Sequence, residues 1–256
     1  MRKADEEDAR ALLPLLDRSP ELTVRLSALL RAYGTGRHFF CVWVQGDFSA
    51  ALYRLDDTFS FIDLGGADYE EAAFFLNLEP YFRQLTGEYD AVSHFAQLLC
   101  VPDPERMDLM RSSCRQNASV PGGRVAAVER ASDLESVYSL ISANLPLGSS
   151  FEAWYADISH RIRHGCARAY LVREDGAPAC ACLVSAESAG MGFISGLCTA
   201  PEFRSRGLAS QLLASVRRKL GLEGRGAVLE CNDLLRPFYE HLGFEYFAHS
   251  GEIDRP

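Results

Sequence analysis

Apolar and polar residues follow a mixed helix and strand pattern through the second half of the chain. Leucine and valine recur at helical spacing between Arg206 and Gly221, which predicts an amphipathic helix. Two strand-like runs flank Asp175-Gly176, an arrangement typical of a tight antiparallel hairpin. The full predicted order is strand 124–129, a helix opened by Ser132 with a capping-box Glu135, helix 150–163, strands 167–174, 178–185 and 191–199, helix 206–221, strand 227–231, helix 234–242 and strand 244–249.

The first half of the chain carries a similar pattern. Its elements are predicted as helices 6–16 and 20–33, strands 38–44, 48–55 and 59–64, helix 69–78, and strands 89–92 and 107–112. This order repeats that of the second half without its first strand, so we interpret the first half as a degenerate second copy. The turn-rich stretch 118–124 is the predicted linker, which divides the chain into domains 1–119 and 120–256. The predicted fold class is α/β, with a central, mostly antiparallel, twisted mixed sheet flanked by helices in each domain.

Composition excludes several classes of protein. A chain of 256 residues that is 48% hydrophobic and 24% charged is typical of a globular protein. The net charge of −9 disfavours a nucleic-acid binder. The first ten residues are charged and no apolar run approaches the ~20 residues of a membrane span, so we expect no membrane association and a cytoplasmic location. The scattered cysteines lack zinc-site spacing, which predicts free thiols and no metal.

Basic residues concentrate in one part of the second half, at Arg204, Arg206, Arg217, Arg218 and Lys219. The first two belong to a turn, residues 204–209, that opens the predicted helix 206–221. Backbone N–H groups at a helix N-terminus bind anions, and small residues let phosphates approach the main chain. The turn is therefore predicted to bind a multiply phosphorylated small molecule, with a simple polar helix start as the alternative.

Two motifs extend this interpretation. The segment 197–209, with its strand, proline, aromatic residue and Arg-x-x-Gly-x-Ala turn, resembles the signature of the GCN5-related N-acetyltransferase (GNAT) superfamily. Asn232, followed seven residues later by Tyr239 in Pro-Phe-Tyr-Glu-His-Leu-Gly-Phe, resembles the second signature of that family. The resemblance covers 120–256 and implies a GNAT fold with acetyl-CoA as co-substrate. The glycine spacing fits neither a Rossmann loop nor a P-loop.

The resemblance also implies roles for individual residues. The main chain at the end of the strand 191–199 would pair with pantetheine, and the N–H near Leu197 would polarise the thioester carbonyl. Asn232 would hold the pantetheine amide, and Tyr239 would protonate the leaving thiolate. The residues implied in cofactor binding are Leu197, Cys198, Thr199, Arg204, Ser205, Arg206, Gly207, Leu208, Ala209 and Asn232.

The general base is less defined than the acid. Glu230 lies two residues before Asn232 on one predicted strand, so both side chains are predicted to point to the same face, and Glu230 could reach an acceptor through a water. The alternative for Glu230 is an ion pair with a surface arginine. Glu152 and His160 are weaker candidates, and a mechanism without a dedicated base stays open.

The first half of the chain has no basic residue where its copy of the phosphate turn is expected. The segment 64–71 instead brings three carboxylates, so acetyl-CoA is expected to be repelled there. This half would then either close over the acceptor pocket of its partner domain or act as a scaffold. The sequence leaves these alternatives open.

The leading hypothesis is an acetyl-CoA-dependent N-acetyltransferase that acts on a small amine or amino-acid-like acceptor in a cleft between the domains. A catalytically silent acyl-CoA-binding sensor and a protein or peptide N-acetyltransferase are the alternatives. The acceptor and the oligomeric state, a homodimer included, are left open.

Overall fold

The computed structural model describes residues 1–113, 126–128, 130–145 and 147–255. They form two compact units that are discontinuous in sequence. The N-terminal unit comprises Met1–Met110, Glu230–Arg236 and Tyr246–Pro256, and the C-terminal unit comprises Arg111–Leu229 and Pro237–Glu245. The predicted linker 118–124 lies outside the described residues. Residues 230–236 and 246–256 thus belong to the N-terminal unit, although they lie within the predicted second domain.

The N-terminal unit is built on a mixed sheet in the strand order β1-β2-β3-β4-β5-β12-β6. Strands β2, β3 and β4 form an antiparallel meander, and β4 and β5 are parallel. Asp5 caps the first helix by accepting the N–H groups of Glu7 and Asp8, and the Asp8 carboxylate accepts the Asp5 N–H in return, which completes a capping box. The elements are β1 Arg2–Lys3, α1 Glu6–Leu16, α2 Pro20–Tyr33, β2 Phe40–Val44, β3 Ala50–Leu55, β4 Thr58–Asp63, α3 Tyr69–Leu78, β5 Gln84–Glu88, α4 Tyr89–Leu99, β6 Glu105–Ser112 and β12 Glu245–Asp254.

The region after α3 corrects the sequence prediction. The strand predicted over 89–92 is wrong, because these residues open helix α4, and the strand at this place is Gln84–Glu88. Buried residues of α4 recur at helical spacing at Ala91, Val92, Phe95 and Ala96. A window of only four residues, 89–92, did not distinguish this period from that of a strand.

The last strand of the chain completes the sheet of the N-terminal unit. Strand β12 pairs antiparallel with β5, with Ser250 opposite Glu88 and Asp254 opposite Gln84. Ile253 is buried and belongs to the core of this unit. The final residues of the sequence therefore stabilise a sheet that the first residues begin.

The C-terminal unit has the strand order β11-β10-β9-β8-β7. Asp175 and Gly176 have φ angles of 51° and 82°, so the predicted hairpin between β8 and β9 is confirmed as a turn with two left-handed residues. Its elements are β7 Ala126–Ala127, α5 Ala131–Ser142, α6 Phe151–Arg163, β8 Arg168–Glu174, β9 Ala177–Glu187, β10 Met191–Thr199, α7 Leu208–Leu222, β11 Gly226–Cys231 and α8 Arg236–His241, with a 3-10 turn at Pro201–Phe203. A second 3-10 turn, Asp233–Leu235, belongs to the N-terminal unit.

Of the first two helices of this unit, α5 begins without a side-chain cap and α6 begins with one. The capping box predicted from Ser132 and Glu135 is wrong, because α5 begins one residue earlier, after Arg130, without a side-chain cap. Ser150 does cap α6, since its hydroxyl accepts the N–H of Ala153.

Each half of the chain repeats one order of elements. The series β2-β3-β4-α3-β5-α4-β6 has the same order as β8-β9-β10-α7-β11-α8-β12. In both series the third strand is parallel to the fourth. Among the described residues, no helix is long and apolar enough to cross a bilayer.

We predict that Ile253→Ala destabilises the N-terminal unit by about 2–4 kcal/mol, because it removes buried methyl groups from a packed core. Trp43 lies in the same core cluster, and the chain has only two tryptophans. Chemical denaturation followed by Trp43 fluorescence in a Trp154→Phe background measures the change. The neighbouring Asp254→Ala, which alters an exposed side chain, is the control. Equal unfolding midpoints for the two variants would contradict this role of β12.

Candidate active site

Strand β10 loses its parallel partner β11 halfway along its length. Its parallel register with β11 runs from Met191 opposite Gly226 to Ile194 opposite Leu229 and stops there. Its antiparallel register with β9 shifts between Ser195 and Cys198, which is a β-bulge. The end of the strand, with Leu197, Cys198 and Thr199, therefore lies beyond the parallel ladder.

Gly196 makes the bulge possible. Its φ of +60° is left-handed, and a Cβ atom built on it would lie 2.7 Å from Cδ1 of Ile141. A glycine inside an apolar strand often marks a bulge, so this residue could have been found from the sequence.

The turn after β10 presents the open N-terminus of α7. Ser205 and Gly207 both have left-handed φ angles, of 60° and 74°, which turn the chain into the helix at Leu208. The first-turn N–H groups of α7 receive no side-chain cap, and its first turn has no acidic residue. These groups are free to bind an anion, and the helix dipole favours one.

Two exposed arginines flank this helix start. The guanidinium of Arg204 donates to the Thr199 carbonyl at 3.3 Å and to Oδ1 of Asn144 at 2.6 Å. The guanidinium of Arg206 donates to the Glu202 carbonyl at 3.0 Å and lies 5.1 Å from the centre of the Phe203 ring. Contacts with the main chain thus hold both charges beside the turn. Sequence reasoning missed Asn144, because no motif marks its role.

Other basic residues of α7 have structural partners instead. Arg217 donates to the Leu242 and Gly243 carbonyls after α8, and burial lowers its pKa. The ammonium of Lys219 lies 4.9 Å from the centre of the Tyr170 ring. Of the basic residues that the sequence concentrates in this region, Arg204 and Arg206 are therefore the ones that lie beside the helix start.

Tyr239 lies in α8 of the C-terminal unit and is 9% exposed. Its ring centre lies 5.1 Å from that of Phe238 and 5.9 Å from that of Phe244. The ring is therefore held by packing, which gives its hydroxyl a defined position.

The structure groups Glu230 and Asn232 with the N-terminal unit. The carboxylate of Glu230 forms an ion pair with Arg25 of α2, so the alternative of a paired carboxylate is the one observed. No sequence signal indicated Arg25, which lies 205 residues away. The side chain of Asn232 accepts the Leu235 N–H at 3.1 Å and caps a 3-10 turn.

The two weaker base candidates lie on α6. Hydrogen bonds from its own N–H and from Ser150 hold the pKa of Glu152 below its usual value, which makes this exposed carboxylate a poor base. The ring of His160 stacks on that of His164 at 4.1 Å.

Cys198 is buried, and its thiol is not activated. Burial, with a further contribution from Cys180, raises the pKa of Cys198 to about 12. A thiol with this pKa is almost wholly protonated near neutral pH and is a weak nucleophile. Its contribution to the site is therefore its main chain.

Comparisons with known proteins give a family model and similar folds. Residues 165–246 match the model of the Acetyltransferase (GNAT) domain. No curated protein matches the chain. A GCN5-related N-acetyltransferase from Kribbella flavida is 18% identical with a TM-score of 0.63, over 91% of this chain and 93% of that one.

Two further structures cover this chain completely. A GCN5-related N-acetyltransferase from Sphaerobacter thermophilus is 15% identical, with 95% of its own chain covered and a TM-score of 0.65. A tandem GNAT protein from the clavulanic acid biosynthesis pathway is 16% identical, with 98% of its own chain covered and a TM-score of 0.61. At this identity the likeness concerns the fold. The chain therefore has the fold of tandem GNAT proteins, and its residues 165–246 match the model of a GNAT domain.

Proposed function

We propose that the protein is an acetyl-CoA-dependent N-acetyltransferase that acts on a small amine or an amino-acid-like amine. The observation that carries this proposal is the open N-terminus of α7, which combines uncapped N–H groups with the charges of Arg204 and Arg206. A diphosphate needs this combination of donors. Each negative charge of a ligand placed at a helix N-terminus contributes about 0.3–1 kcal/mol, and arginine adds charge-assisted hydrogen bonds to it.

Helix α3 holds the place in the first series of elements that α7 holds in the second, and its N-terminus lacks this property. Helix α3 follows the third strand of the first series, and Asp68 caps it by accepting the Glu71 N–H at 2.9 Å. Its first turn also carries Glu70 and Glu71. These carboxylates disfavour a phosphate, which supports one acetyl-CoA site per chain.

Acetyl-CoA supplies an activated acetyl thioester. The residues of the chain bind this co-substrate and protonate its departing thiolate. In this proposal the main chain at Leu197, Cys198 and Thr199 pairs with the pantetheine arm, and the Leu197 N–H polarises the thioester carbonyl. Asn232 holds the pantetheine amide. The residues of the turn 204–209 bind the diphosphate.

Proton transfer requires an acid and a route for the amine proton. Tyr239 is the proposed acid for the departing thiolate, since a tyrosine of ordinary pKa near 10 can donate to it with little mismatch. Glu230 is the proposed base and would act through a water. Because Arg25 occupies part of its carboxylate, Arg25 would also position Glu230.

We predict that Gly207→Glu abolishes CoA binding, because it places bulk and negative charge at the proposed diphosphate site. Isothermal titration with CoA measures the affinity. Gly224→Glu is the matched control, because Gly224 has nearly the same φ (75° against 74°), is exposed and lies just after the other end of α7. The assignment of the site fails if Gly207→Glu binds CoA as tightly as Gly224→Glu does.

We predict that Tyr239→Phe lowers kcat by about 10²-fold, a typical loss for a general acid, and leaves CoA affinity nearly unchanged. Thiol release over a panel of small primary amines gives kcat, and titration gives the affinity. Tyr81→Phe, which removes an exposed hydroxyl of the N-terminal unit, is the control. Unchanged turnover at every pH would remove Tyr239 from the mechanism. Tight CoA binding without turnover on any amine or peptide would instead favour a sensor.

We predict that acetyl transfer proceeds without an acetylated Cys198. Because burial raises the pKa of this thiol to about 12, iodoacetamide at pH 8 should label the exposed Cys100 and leave Cys198 unmodified. Peptide mapping by mass spectrometry reads both sites in one digest. Recovery of Cys198 with an acetyl group after incubation with acetyl-CoA would instead establish a covalent intermediate.

A further inference from the structure

The N-terminal unit contains a cavity of about 520 Å³ that the proposed function does not use. Its walls come from the ends of β4 and β5, the first turns of α3 and α4, and the middle of β12. All of these segments belong to the N-terminal unit. The cavity is large enough for a small organic molecule.

The cavity lies where two parallel strands stop pairing. Strand β4 pairs with β5 from Thr58 opposite Gln84 to Ser60 opposite Thr86, and the pairing ends there. Asp63 and Glu88 follow at the ends of these strands, and both line the cavity. The cavity thus occupies in the first series of elements the place that the end of the β10–β11 ladder occupies in the second.

Negative charge dominates the walls. Asp63, Glu88 and Asp90 all line the cavity, and its lining includes no lysine or arginine. Asp63 accepts the Tyr69 hydroxyl at 2.9 Å and the Gly65 N–H at 2.7 Å. Glu88 precedes α4 but its side chain does not cap the helix. Burial, with the charges of Asp63 and Asp90, raises the pKa of Glu88, so a bound cation would stabilise its ionised form.

Aromatic rings form the rest of the walls. Tyr246 and Tyr89 lie 4.9 Å and 6.3 Å from the ring centre of His249, and all three line the cavity. Tyr69 also lines it and is held by stacking on His94 at 4.7 Å. Nδ1 of His249 lies 3.0 Å from a carboxylate oxygen of Asp108.

Carboxylates combined with aromatic rings recognise an organic ammonium ion. The carboxylates supply charge and hydrogen-bond acceptors, and the aromatic side chains offer apolar surface to the carbon substituents of such a cation. A bare divalent metal fits less well, because the described residues contain no group of three His, Cys, Asp or Glu side chains placed to hold one. An acyl-CoA phosphate would meet three carboxylates. We propose that the N-terminal unit binds an organic ammonium ion in this cavity.

A smaller cavity of about 360 Å³ shares Asp63, Gly65 and Glu88 with the first. It adds the carboxylate of Asp47 and has Arg18 on its wall. The shared residues place Glu88 between the two spaces. Asp63 is shared as well, but it already accepts the Tyr69 hydroxyl and the Gly65 N–H, so we expect an ammonium ion in the larger cavity to depend more on the charge of Glu88.

Glu88→Gln tests the site without removing a helix cap. The probes are tetramethylammonium chloride and butylammonium chloride, with sodium chloride at equal ionic strength as the reference, and calorimetric titration measures binding to the full-length protein. We expect saturable binding of an ammonium ion to the wild type, weakened about tenfold or more in Glu88→Gln, as loss of a charged hydrogen-bond partner implies. Glu70→Gln, an equal charge change in the first turn of α3, should bind as the wild type does, because Glu70 does not line the cavity.

Two results would overturn the site: no saturable binding of either ammonium ion to the wild type, or equal weakening by Glu88→Gln and Glu70→Gln. Trp43 fluorescence verifies that each variant is folded. CoA titration of the same variants keeps this inference separate from the proposed function. Glu88→Gln should leave CoA affinity unchanged, whereas Gly207→Glu should abolish it and leave ammonium binding intact.

Discussion

Backbone N–H and C=O groups need partners, and β10 loses one set of partners halfway along its length. Its ladder with β11 stops at Ile194, and Gly196 then adopts a left-handed conformation that shifts the register with β9. A residue with a Cβ atom would be strained there and would press on Ile141. The bulge sets the position of Thr199, whose carbonyl in turn holds Arg204. The turn at 204–209, the proposed diphosphate site, thus depends on a local break in sheet hydrogen bonding.

The two series of elements share their order but differ in the helix that follows the third strand. Helix α7 begins without a side-chain cap or an acidic residue, whereas Asp68 caps α3 and two glutamates follow. The first arrangement attracts an anion, and the second satisfies its own donors and repels one. A few side chains at one turn therefore give the two copies opposite preferences. The carboxylates around Glu88 extend the negative character of the first copy into a cavity.

In the proposed mechanism the residues of the chain supply proton transfer and polarisation. Burial keeps the Cys198 thiol protonated, and the ion pair with Arg25 holds Glu230, the proposed base, in place. Tyr239, the proposed acid, is buried and held by packing. These features fit direct transfer from the thioester to an amine better than transfer through an acyl-enzyme.

Short-range patterns in the sequence determined much of this protein. The bounds predicted for helices 6–16, 20–33 and 69–78 and for strand 191–199 are those observed, and the Asp175-Gly176 hairpin has the predicted turn. These features depend on periodicity and turn chemistry, which neighbouring residues encode. The turn at 204–209 was identified for the same reason.

Only the tertiary structure decided which distant segments meet. Nothing local indicates that β12 pairs with β5 or that Glu230 meets Arg25, because strand pairing and ion pairs form between residues far apart in the chain. Helix α4 was mistaken for a strand, because its burial against the core gives it a period that four residues do not reveal. The acidic cavity combines segments near residues 63, 88 and 247, and its ligand chemistry exists only where the fold brings them together.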